Sequence, residues 1–223
     1  MNLFGKFSNR LALPKLIVFL GDSHVAALTD SKFARILNIK FDRTNYQNRI
    51  FISLWFQDTL AYNVSRGVYP KSAKRLAFLL GRLRFFGAKF FFNFGEIDIR
   101  CHLAKTDRSS DFLVEYVQMC LKLVKSEPKY VSFLTPTPPS DFYDNHPSFP
   151  RFGSLSERIV AHRVFCENLK TMANFHSCGF VNTGAELTDE FGGLEFSLTS
   201  DGCHLNQNGS KIVRADVIDF CVK

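Results

Sequence analysis

The chain has 223 residues, of which 46% are hydrophobic, and a formal charge of +7 at neutral pH. This length suits one domain, 1–223, and the apolar share excludes a wholly disordered chain. No apolar run is long enough for a transmembrane helix, and no nucleic-acid-binding motif accompanies the charge, so the basic excess reads as solvated surface and no nucleic-acid partner is expected.

Met1 to Leu20 carries Lys6, Arg10 and Lys15 ahead of the apolar run Leu16-Ile17-Val18-Phe19-Leu20. That run is short and leads into Gly21-Asp22-Ser23-His24 rather than a small-residue cleavage site, so it reads as a buried first strand with a basic leader. Arg49 to Leu54 is a candidate second strand. Lys71 to Phe86 reads as a helix with Leu76, Leu79, Leu80, Leu83 and Phe86 on one face, ended by Gly87. Its basic residues, Lys71 to Arg84, read as a solvated outer face.

Lys89 to Phe94 is the next strand. Asp111 to Lys125 is helical by spacing, and Tyr130 to Leu134 is a fourth strand. Thr135 to Gly153 is a proline-rich loop. Ser154-Leu155-Ser156-Glu157 has the capping-box pattern and opens a helix to about Asn174. Gly179 to Val181 reads as a short last strand and Asn206 to Phe220 as a closing helix.

Strands alternating with helices predict an α/β fold: a three-layer α/β/α sandwich, flavodoxin-like, around a mostly parallel sheet of about five strands. Ligands then bind beyond the carboxyl ends of the strands. The loops Gly21–His24, Gly95–His102, Thr135–Pro150 and Thr183–His204 gather there. The six cysteines, Cys101, Cys120, Cys166, Cys178, Cys203 and Cys221, show no Cys-x-x-Cys spacing. They read as reduced thiols of a cytoplasmic protein.

Ser23 follows the first strand, just before a helix that starts near His24 or Val25, where free N–H groups favour a developing oxyanion. Near the other end, Asp201-Gly202-Cys203-His204 places a carboxylate three residues from an imidazole. A hydroxyl becomes a useful nucleophile when an imidazole takes its proton and a third group fixes the imidazole. Each tetrapeptide alone is an ordinary turn or cap; together they predict a Ser-His-Asp site. His24 reads as a pocket or turn residue, and His146 as a possible substrate contact. Cys101-His102 and Cys203-His204 lack the usual metal-ligand spacing, so neither a metal nor another cofactor is expected.

These residues resemble the SGNH (GDSL-type) hydrolases. The resemblance rests on Gly21-Asp22-Ser23, Gly95-Glu96-Ile97-Asp98 and Asp201-Gly202-Cys203-His204, in that order along nearly the whole chain. It implies Ser23 as nucleophile, His204 as base and Asp201 as its orienting partner, in an enzyme that removes acyl groups from small esters, lipids or carbohydrates. The family's third block usually carries an asparagine donor to the oxyanion; here Ile97 stands in that place. The Gly-Glu-Ile-Asp-x-Arg form resembles a divergent branch. The second block usually supplies a glycine N–H, for which Gly67 or a residue near Gln57 is the candidate. Arg100, Glu96 and Asp98 are candidate oxyanion or substrate contacts, with a buried Asp98–Arg100 pair as the structural alternative. The expected function is a serine esterase acting on O-acyl groups such as O-acetyl of a carbohydrate. The alternatives are an acyltransferase with the same triad or a glycan-binding module on the same fold.

Overall fold

The computed structural model describes residues 15–29, 39–44, 49–56, 59–104, 110–142 and 149–222. Six strands form one sheet: β1 (Lys15–Gly21), β2 (Ile39–Thr44), β3 (Arg49–Trp55), β4 (Lys89–Asn93), β5 (Val131–Leu134) and β6 (Gly179–Val181). Their order is β2-β3-β1-β4-β5-β6, with β3, β1, β4, β5 and β6 parallel. The expectation of about five parallel strands therefore holds, with one addition. β2 pairs antiparallel with β3 at the edge. Its alternation of apolar and charged residues, Ile39-Lys40-Phe41-Asp42-Arg43-Thr44, fits an edge strand, but it is too short to stand out from a loop.

The helices are α1 (Ala61–Ser65), α2 (Lys71–Gly81), α3 (Glu96–Asp98), α4 (Leu113–Val124), α5 (Leu155–Phe175) and α6 (Gln207–Val222). The sheet buries both faces. Val18 and Leu20 of β1 belong to one core with Ala77, Val117 and Leu169 from α2, α4 and α5. Ile17 and Phe19 point the other way, into a second core with Val213 and Val217 of α6. This period-two division explains why β1 is an unbroken apolar run. The α5 cap forms as predicted: the Ser154 side chain accepts from the Glu157 N–H, and Glu157 accepts from the Ser154 N–H. The predicted Lys71–Phe86 helix is shorter. It ends at Gly81, which lies against the Val124 carbonyl of α4, and a tight 3₁₀ turn takes over through Phe86.

Two glycines allow the strand ends to meet. At Gly21 an added Cβ would overlap the Asn93 carbonyl oxygen and the Val25 side chain. Gly21 pairs with Asn93 in the β1–β4 register, and the Asp22 N–H donates to that same carbonyl. Gly95 has φ +124° and lets the chain turn under the Phe165 ring. A Gly21→Ala protein should lose about 2–3 kcal/mol of stability, because overpacking here pushes on backbone rather than on a mobile side chain. The urea midpoint of the variant against that of the parent measures it. An unchanged midpoint would show that the β1–β4 junction yields freely.

Candidate active site

The site is assembled from three chain segments: the two that follow β1 and β4, and the loop that leads into α6. Behind β1, Asp22 caps a 3₁₀ turn over Ser23–Leu28, its carboxylate accepting from the His24 N–H at 3.0 Å. Asp22 is wholly buried, and burial pushes its pKa up to about 6, against the pull of His24. The cap fixes the turn that presents Ser23. The Ser23 N–H has no partner among the described residues, as the first amide of a helical turn should.

Residues far apart in the chain meet here. The Ser23 hydroxyl stands 2.9 Å from His204 Nε2. His204 Nδ1 lies 2.7 Å from Asp201 Oδ2. The other Asp201 oxygen accepts from the backbone N–H groups of Cys203 at 2.9 Å and His204 at 2.7 Å. Those bonds make Asp201-Gly202-Cys203-His204 a closed turn in which the carboxylate and the ring cannot drift apart. Gly202, at φ +84°, provides the left-handed residue that the turn needs. Asp201 is held below the usual carboxylate range: burial would raise it, and the two N–H donors and the His204 ring outweigh that.

A second imidazole lies directly behind the first. The His24 and His204 rings stack with centroids 4.7 Å apart. His24 is 2% exposed. Its Nδ1 lies 3.0 Å from Thr137 Oγ1 and its Nε2 3.4 Å from Glu96 Oε2. Burial works against a charge on His24, but Cys203, Asp22 and Glu96 around it raise its pKa well above the ordinary imidazole value. Glu96 is also paired with Arg100 at 3.1 Å. Burial would raise Glu96, and His24 with Arg100 outweigh this and hold it low. His204, in contrast, is lowered, first by burial and then by repulsion from His24. The two rings are pushed in opposite directions, His24 toward the charged form and His204 toward the neutral one.

The third segment follows β4. Gly95 turns the chain into α3, which continues through Leu103 as a π-helix. Glu96 and Arg100 fall one turn apart on its inner side. Asp98 does not pair with Arg100. Its carboxylate accepts from the N–H groups of Ala61 at 2.7 Å and Tyr62 at 3.1 Å, capping α1 from outside that helix. Burial lifts Asp98 to about 7 against those two donors. Asp98 thus ties the β4 loop to α1, and the expected Asp98–Arg100 pair is replaced by Glu96–Arg100. Ile97 is buried and offers no donor.

Gly67 is not available in the role expected of it. Its N–H donates to the Val64 carbonyl at 2.9 Å, closing the end of α1 beside Met119. Gln57 and His146 lie outside the described residues. His162 of α5 turns Nε2 to the Pro136 carbonyl at 3.0 Å, and burial lowers its pKa. The proline-rich loop is further held by the buried Arg158, which donates to the Ser140 carbonyl at 2.9 Å and pairs with Asp141.

The residues that sequence reasoning underrated are His24 and Thr137. The signal for His24 was its place next to Ser23 on a capped turn; Thr137 carried none. His24 Nε2, a Glu96 oxygen and Cys203 Sγ lie within 4.8 Å of one another, the one such three-donor group among the described residues. Within this group Glu96 is paired with Arg100 at 3.1 Å and faces His24 Nε2 at 3.4 Å. All six cysteines are unbridged. Beside these loops, at the carboxyl ends of β5 and β6, is a cleft of about 500 Å³ lined by Thr135, Asn182, Gly184, Arg163 and Lys170 among others. No described helix is long and apolar enough to cross a membrane.

No family model matches the chain, and no curated protein sequence matches it. Solved structures do. A GDSL-like lipase from Bacteroides thetaiotaomicron superposes with a TM-score of 0.59 at 15% identity, over 92% of this chain and 87% of its own. An acetylxylan esterase from Geobacillus stearothermophilus, solved as a catalytic mutant, gives 0.53 at 14% identity over 93% and 94%. A carbohydrate acetylesterase from Sinorhizobium meliloti gives 0.51 at 15% identity over 93% and 98%. At these identities the likeness shows the fold alone, which this chain shares with the three structures over 92–93% of its length.

Proposed function

We propose that this chain is a serine esterase of the SGNH type that removes O-acyl groups, such as O-acetyl, from a carbohydrate. One observation carries the reading. Ser23, His204 and Asp201 form a continuous hydrogen-bonded relay, with Ser23 and His204 separated by 181 positions in the chain. Nothing in folding alone requires a half-buried hydroxyl, an imidazole and a carboxylate to align this way beyond the strand ends.

In this mechanism Ser23 Oγ attacks the ester carbonyl carbon as His204 Nε2 takes its proton. Asp201 steadies the imidazolium through Nδ1–H. The oxyanion is met by the Ser23 N–H at the start of the capped turn. Collapse breaks the ester bond, and the departing alcohol receives the proton from His204. Water then attacks the acyl-Ser23, His204 again taking the proton, and the free acid leaves with Ser23 restored. Since Ile97 supplies no donor, a second contact to the oxyanion falls to the Gln57 region or to Arg100.

The carbohydrate preference is supported by two of the structural neighbours, an acetylxylan esterase and a carbohydrate acetylesterase. Hydrolysis of a small acetyl ester together with acetate release from an acetylated saccharide tests the reading. Turnover of the ester only when an acceptor alcohol is supplied would move the assignment to an acyltransferase. Ile97 motivates a second reading, a glycan-binding module with a silent triad. A fluorophosphonate that labels Ser23 excludes it, and saccharide binding without labelling favours it.

His24 tunes the base in this scheme. Its buried charge beside His204 keeps the catalytic imidazole unprotonated at lower pH than usual. A His24→Gln enzyme should have the acid limb of its kcat/KM profile moved to higher pH. Activity then falls at pH 6 and stays near the parent value at pH 8. A uniform loss at all pH values would reduce His24 to a packing residue.

A further inference from the structure

Between residues 59 and 95 the sequence has seven basic residues and no acidic one. The structure shows where that charge sits. Lys71, Lys74 and Arg75 begin an exposed stripe on α2 that Phe78, Leu79 and Arg82 continue at helical spacing. The opposite face of α2, with Ala73, Ala77 and Leu80, is buried in the core. Beyond Gly81 the 3₁₀ turn leaves Phe85 and Phe86 bare, at 75% and 65% exposed, beside Leu79 at 56%.

The cations are placed on these rings. Arg82 lies over Phe78 at 5.5 Å, Lys125 over Phe78 at 4.8 Å, and Arg84 over Phe85 at 4.5 Å. This is not the plain solvated face that the sequence led us to expect, since a solvated face does not present adjacent bare phenylalanines. It is an apolar patch rimmed by one sign of charge.

The geometry points to a docking face for an anionic lipid bilayer. Phe85, Phe86 and Leu79 would enter the headgroup boundary, while Arg82, Arg84 and Lys125 stay at the level of the lipid phosphates. The charge is complementary to the cytoplasmic type of anionic surface, and the stretch 59–95 contributes no carboxylate to oppose it. The patch lies where the chain enters β4, and Ser23 and His204 lie beyond the far end of the parallel strands. Docking therefore leaves the catalytic pole turned to water. The inference is independent of the hydrolase reading.

The full chain is tested by co-sedimentation with phosphatidylcholine vesicles, with and without about a quarter phosphatidylserine, at low and high salt. Binding is expected only with phosphatidylserine, and weaker at high salt. Phe85→Ser with Phe86→Ser, and separately Arg82→Glu with Arg84→Glu, should each weaken it at least about tenfold, while small-ester turnover is retained. The two pairs change apolar and charged character independently, so a folding defect in one leaves the other to decide. Absent or lipid-independent binding, or variants that bind like the parent, would overturn the proposal. So would a dimer seen by light scattering that the phenylalanine variant dissolves, because it would give the face to a second copy.

Discussion

A Ser23→Ala protein is expected to lose at least about 10³ in kcat/KM toward a small acetyl ester, and to lose fluorophosphonate labelling altogether. The reason is stoichiometric. Hydrolysis by this route needs one atom that bonds the carbonyl carbon, and among the described residues only the Ser23 oxygen stands against the base, at 2.9 Å from His204 Nε2. The capped turn and the Ser23 N–H remain in the variant, so a small residual rate from oxyanion binding persists. The fold should also persist, because Ser23 is half-buried and its hydroxyl makes no bond beyond His204. Unchanged thermal unfolding alongside the lost rate is the control. A Ser23→Ala protein as fast as the parent would remove the serine mechanism, and with it the assignment of His204 and Asp201.

The second large effect belongs to Asp201. Asp201→Asn is expected to reduce kcat by roughly 10³–10⁴ near neutral pH, with little change in KM. The carboxylate accepts three hydrogen bonds, from the His204 ring and from the backbone N–H groups of Cys203 and His204. With asparagine the amide oxygen can keep the two backbone donors. Its NH₂ then faces Nδ1 and makes that nitrogen an acceptor, which places the ring proton on Nε2, facing Ser23. The base would be present in the wrong tautomer. The turn should survive, so the loss is one of proton placement rather than of structure. Equal rates in parent and variant would show that His204 is oriented by its stack on His24 instead.

Much of the architecture was legible in short runs of sequence. Leu16–Leu20 could only be a strand covered on both sides, and Ser154-x-x-Glu157 announced α5. Signals of this kind are local: burial period and capping chemistry are written within a few residues. β2 escaped because six residues are too short to stand out from a loop. The end of α2 escaped because Gly81 is set by the approach of α4, a contact from elsewhere in the chain.

The site divides the same way. Ser23, Asp201 and His204 were nameable because their residue types and positions after predicted strands carry a chemical meaning. The partners of Asp98, Arg100 and Gly67 were not, since a carboxylate can cap a distant helix as readily as it pairs with a nearby guanidinium. Asp98 reaches back to α1, and Glu96 takes Arg100. The basic face of α2 was visible as charge, but its bare phenylalanines were not, because the same period-3.6 pattern permits either side to turn inward.

By itself the sequence determined the α/β alternation, the order of the elements and the types of the reacting groups, all of which follow from local periodicity and chemistry. Tertiary structure alone decided which imidazole is pushed toward the charged form and which toward the neutral one. Burial and the neighbouring groups set those two directions, and they come together only when β1, β4 and the last loop close on one another.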